Sequence, residues 1–130
     1  MKTHAVMALG ALFFLAPVVA SAQFDKSNRY LCYVVEKIST SAQIPDLKVR
    51  DQFGRNAAKV FKPRYVCNPV SINNKRIPDP KMHLVCYEAS TPIRPKPVAV
   101  ANEFERPQAA QFELADAQLL CVPSEKRVRK

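Results

Sequence analysis

The chain has 130 residues, a formal net charge of +9, four cysteines, and only two glycines against eleven prolines. Gly10 lies in an apolar leader and Gly54 is the sole glycine after it, which excludes phosphate-cradling glycine loops; the ten prolines after the leader, from Pro45 to Pro123, leave little room for long helices. After residue 22 the one histidine is His83, and no serine or cysteine stands at a nucleophile turn, so the familiar hydrolytic triads are excluded as well.

Taken in order, Lys2 and His4 precede an apolar run from Ala5 to Ala20 that ends Ala20-Ser21-Ala22. Residues 1–22 therefore read as an export signal cleaved before Gln23. The run is interrupted by Pro17 and is shorter than the ~20 residues a spanning helix needs, so no membrane span is expected once the signal is removed. What remains, 108 of the 130 residues, is one domain of secreted or periplasmic destination, 23–130. A chain of that size removes only about two-thirds of its surface from water, and an even number of cysteines in an oxidising compartment reads as two disulfides.

The cysteines belong to a duplication. Tyr30-Leu31-Cys32-Tyr33 returns as Leu84-Val85-Cys86-Tyr87, and Cys67-Asn68-Pro69 returns as Cys121-Val122-Pro123; each cysteine lies 54 residues from its counterpart. This divides the domain into a repeat at 29–70, a connection at 71–82, a second repeat at 83–124 and a basic tail at 125–130. Three residues are gained after Phe104, at Glu105-Arg106-Pro107, and three are lost upstream of Val100, so both cysteine spacings stay at 35. Apolar residues alternate in Leu31, Tyr33 and Val35, in Leu47 and Val49, in Val98 and Val100, and in Phe112 and Leu114, which is a strand pattern. Eight strands are predicted, at 30–37, 46–53, 57–62, 64–68, 83–89, 97–104, 109–114 and 118–122. The expected fold is all-β, a small pseudo-two-fold sandwich or barrel of two disulfide-linked repeats.

Asp51-Gln52-Phe53-Gly54, Cys67-Asn68-Pro69-Val70 and Cys121-Val122-Pro123-Ser124, duplicated behind a signal peptide, give the chain a resemblance to a family of secreted bacterial domains of unknown function. The resemblance covers roughly residues 29–124 and departs at Asn102-Glu103-Phe104-Glu105, where the family repeats Asn-Gln-Phe-Gly. It implies an architecture and carries no activity or catalytic residue.

Three disulfide connectivities respect the duplication: Cys32–Cys67 with Cys86–Cys121, Cys32–Cys121 with Cys67–Cys86, and Cys32–Cys86 with Cys67–Cys121. The first is favoured because each unit would then have been crosslinked before it was copied. A zinc set of His83, Cys86, Cys32 and Cys67 lacks the two close ligand pairs typical of structural sites, so neither metal nor cofactor is assigned. Glu103 and Glu105 flank Phe104 as a solvated pair, and Tyr30, Tyr33, Tyr65 and Tyr87 beside the cysteines are expected to pack.

Charge is uneven. The first repeat holds eight Lys/Arg against three Asp/Glu and the second three against five. Lys48, Arg50, Lys59, Lys62 and Arg64 form a candidate anion-binding set, with lipopolysaccharide, an acidic glycan or nucleic acid as the partner class. The sequence therefore points to a monomeric, non-enzymatic binding module. A structural envelope or matrix protein without specific ligand, or an unrecognised enzyme, are the alternatives.

Overall fold

The computed structural model describes residues 10–11, 22–92 and 96–130. The export signal therefore falls almost wholly outside the described residues. After one helical turn, α1 (Ala22–Asp25), the elements are β1 (Arg29–Val34), β2 (Leu47–Asp51), β3 (Gly54–Val70), β4 (His83–Thr91), β5 (Lys96–Val100), β6 (Ala110–Leu114) and β7 (Ala117–Ser124). The fold is all-β. A five-stranded antiparallel sheet runs β1-β3-β4-β7 with β2 attached to β3, and β5 pairs with β6 as a separate ribbon. Among the described residues no helix is long and apolar enough to cross a membrane.

The predicted strands at 57–62 and 64–68 are one continuous strand, β3. Pro63 cannot donate to a ladder, which is why the sequence pattern ends a strand there. Instead its missing hydrogen bond is absorbed by irregularities in the β3–β4 register, between Val60 and Pro63 and between Pro63 and Tyr65. Pro123 is accommodated differently. It pairs with Leu84, two steps from the cysteine pair Cys86 and Cys121, whose Cα atoms are only 3.9 Å apart, as suits a non-hydrogen-bonded rung. By the alternation of rungs Pro123 occupies another such position, where its nitrogen faces the free edge of the sheet.

The pairing registers of the two halves correspond. Adding 54 to the partners Arg29↔Val70, Cys32↔Cys67 and Val34↔Tyr65 gives His83↔Ser124, Cys86↔Cys121 and Glu88↔Leu119, which are the β4–β7 partners. The same shift carries Ala58 in the β2–β3 hairpin to Phe112 in the β5–β6 ribbon, while its partner Leu47 moves by 51 to Val98.

Both disulfides join directly opposed residues, Cys32–Cys67 across β1 and β3 and Cys86–Cys121 across β4 and β7, each closing 35 residues. No free cysteine remains among the described residues. Because β3 and β4 are neighbours, the bridges lie side by side, and the Sγ atoms of Cys67 and Cys86 touch at 3.8 Å. Four sulfurs thus form a row across the sheet. The apolar interior around them is slight: Ala58, Val60, Cys67 and Cys86 are the buried apolar residues among those described. On the edge strand β1, Leu31, Tyr33 and Val34 are more than half exposed, so Tyr33 does not pack as expected; Tyr30 on the same strand, Tyr65 on β3 and Tyr87 on β4 are half-buried. In the chain-entropy account each 35-residue crosslink contributes about 3.8 kcal/mol, comparable to a small domain's net stability.

Candidate anion-binding face

Strand alternation in the β2–β3 hairpin separates two faces. Directly opposed residues share a face, and the pairs Leu47↔Ala58 and Val49↔Asn56 point inward, where Ala58 and Val60 are buried. The pairs Lys48↔Ala57 and Arg50↔Arg55 point outward, and Lys59, two residues beyond Ala57, joins them. Lys48, Arg50, Arg55 and Lys59 are all exposed. This outer face consequently presents four cations, with alternate residues along a strand about 6.5–7 Å apart.

The hairpin turn sets that arrangement. Asp51 pairs with Gly54, leaving Gln52-Phe53 as the turn, and the Asp51 carboxylate accepts the Phe53 N–H at 2.8 Å. Gly54 has φ +136°, a conformation L side chains rarely adopt. A turn this short brings Arg55 straight into the strand opposite Arg50. Like charges directly opposed on a sheet repel, yet no ion pair among the described residues involves Arg50, Arg55, Lys48 or Lys59.

The other predicted cations are placed differently. Lys62 is exposed at the bulge before Pro63, where it has no register partner on β4. Arg64, within the second irregularity between Pro63 and Tyr65, lies 3.9 Å from the Glu88 carboxylate. The structure thus gathers Lys48, Arg50 and Lys59 on one face and sets Lys62 and Arg64 apart from it. Sequence reasoning misses Arg55 because Phe53-Gly54-Arg55-Asn56 reads as a four-residue turn; the two-residue spacing between Asp51 and Gly54 is the signal that could have found it.

Glu103 also departs from expectation. Rather than lying in solvent, it accepts hydrogen bonds from Nε of Arg29 at 2.8 and 2.9 Å and from the same guanidinium's Nη2. Arg29, which also meets Asp25 at 3.5 Å, holds the Glu103 carboxyl below the usual carboxylate range through these hydrogen bonds, and its own proton is held more tightly in return. The loop carrying Glu103 is fixed further by Arg106, whose guanidinium sits 5.3 Å from the Phe24 ring centre. His83 turns its ring Nδ1 to the Lys81 carbonyl at 2.9 Å, and all four cysteine sulfurs are committed to disulfides.

The chain matches no protein-family model, no curated protein and no solved structure.

Proposed function

We propose that this protein is an exported, duplicated β-module that binds an anionic polymer through the outer face of its β2–β3 hairpin. The observation that supports this reading is the set Lys48, Arg50, Arg55 and Lys59, with two guanidiniums directly opposed and, among the described residues, no carboxylate paired with any of the four. Several cations elsewhere on the chain have acidic neighbours: Arg29 has Glu103 and Asp25, Arg64 has Glu88, and Lys75 has Asp25. A row of like charges at strand spacing suits a ligand whose own charges repeat, such as a sulfated glycan or a phosphate backbone. The resemblance to secreted bacterial domains, the duplication and the monomeric state belong to the same proposal. Two disulfides fit a compartment that maintains oxidised thiols.

Heparin chromatography tests it. Replacing Lys48, Arg50, Arg55 and Lys59 by Gln should reduce the slope of log affinity against log salt by about 3. The Lys62→Gln, Arg64→Gln double variant should change retention much less. If the four-site variant elutes with the unmodified protein, the hairpin face is not the binding surface, and a structural role without specific ligand becomes the better reading.

A further inference from the structure

The four sulfurs in a row can do more than brace the sheet. Cys67 and Cys86 are 1% and 3% exposed, whereas Cys32 and Cys121 lie on the exposed ends of the row. Each disulfide therefore joins an exposed cysteine to a buried one. The hidden sulfurs belong to different bridges and touch at 3.8 Å. Neither carries a hydrogen, so the contact is one of packed sulfur atoms, already at the approach distance for exchange.

We propose that the two bridges form one exchange unit, a site for small-molecule thiols that react first at Cys32 and leave a new inner bridge, Cys67–Cys86. A thiolate attacks the accessible Sγ of Cys32, forming a mixed disulfide there and expelling Cys67 as a thiolate. Cys67 then attacks Sγ of Cys86, forming the Cys67–Cys86 bond, breaking Cys86–Cys121 and expelling Cys121 as a thiolate, which takes a proton from water. A second thiol molecule releases Cys32 from the mixed disulfide. In sum, two thiol molecules are oxidised to their disulfide, and two protein disulfides become one disulfide and two thiols, at Cys32 and Cys121. The mirror-image route from Cys121 gives the same product.

Two physical terms drive the middle step. A thiolate at Cys67 has lost its hydration, whereas one at Cys121 keeps it, so exchange moves charge outward. The inner bridge is apolar and takes the buried place. Diagonal neighbours on adjacent strands sit farther apart than opposed ones, so β3 and β4 must draw together slightly at this rung to close the bond. Cleavage of the Cys32–Cys67 crosslink in the first step supplies that freedom.

The experiment uses the oxidised full chain and glutathione as the thiol. Limited exposure to glutathione, trapping with N-ethylmaleimide and digestion without further reduction should yield a peptide pair linked through Cys67 and Cys86, with glutathione or maleimide on Cys32 and Cys121. Label on both members of one original bridge while the other stays intact overturns the proposal. A second test needs no added thiol. Cys32→Ser leaves Cys67 beside the Cys86–Cys121 bridge, and its free thiol should be found at Cys121 over Cys67 by about tenfold or more; a free thiol resident at Cys67 contradicts the exchange.

Discussion

The two hairpins of this chain share a pairing register and differ in how they turn. Between β2 and β3 the turn is two residues closed on Gly54, while β5 and β6 are joined by the loop 101–109, which contains no glycine. The beginning of each turn is nonetheless the same: Asp51 accepts the Phe53 N–H at 2.8 Å, and Asn102 accepts the Phe104 N–H at 2.8 Å. Beyond that shared start the path of the chain depends on one residue. A positive φ is open to Gly54; neither Glu105, which follows Phe104 as Gly54 follows Phe53, nor Gln108, 54 residues on from Gly54, has such freedom, and the three extra residues carry the second chain round in a wider path. The wider loop also carries Glu103, which meets Arg29 on β1. A second difference lies at Phe61-Lys62, where β3 bulges but continues, and at the corresponding Ala115-Asp116, where β6 and β7 separate. One irregularity bends a strand and the other divides it, which leaves the second hairpin as an independent ribbon.

If the halves are mechanically equivalent, removing either disulfide should have the same consequence. Paired Cys→Ser replacement at Cys32 and Cys67, or at Cys86 and Cys121, should each lower unfolding free energy by about 3–4 kcal/mol, read by urea titration. Unequal losses would show that one half carries the other. The turns should behave oppositely. Gly54→Ala places a Cβ at φ +136° with open space around it, so the loss, about 1–2 kcal/mol, comes from backbone conformation alone, whereas Gln108→Ala should stay within about 0.5 kcal/mol. Thr91 offers a smaller change of opposite sign. Among the described residues its hydroxyl is buried without a hydrogen-bond partner at the end of β4, so Thr91→Val should raise stability by about 1 kcal/mol, and a loss on that substitution would mean the hydroxyl is satisfied.

The Arg29–Glu103 pair gives the smallest effect and concerns only the wide loop. Because Glu103 gives up its proton more readily in the folded protein than in the unfolded chain, its contribution is complete above the ordinary carboxylate value of about 4.3 and is lost as pH falls through the lower folded value. Glu103→Gln should remove that segment of the acid dependence while leaving the Gly54 turn untouched. Stability profiles of the two proteins that remain parallel below pH ~4.3 would rule out the linkage.

Much of this architecture is legible in the sequence because it rests on local alternation and on cysteine spacing. Equal 35-residue intervals and cancelling three-residue changes point to corresponding cysteine strands, and the favoured pairing is the one observed. The continuity of β3 is hidden because Pro63 is a strand breaker in isolation, and only the extra residues that β3 carries on either side of it, against β4, make it tolerable. Similarly, Glu103 and Arg29 are 74 residues apart, and no local pattern marks them as partners. Of the basic set, the shared face of Lys48 and Arg50 follows from alternation, but the places of Arg55 and Lys59 on it depend on the turn length and register, and that of Arg64 on the bulge and Glu88.

The fold depends most on two crosslinks, each tying a Cys-Tyr strand to the closing strand of its own half. Digestion of the oxidised protein under non-reducing conditions, with free thiols blocked beforehand, tests this directly. It should give one peptide pair joined through Cys32 and Cys67 and another through Cys86 and Cys121; four blocked thiols, or a bridge between the halves before any thiol is added, would contradict it.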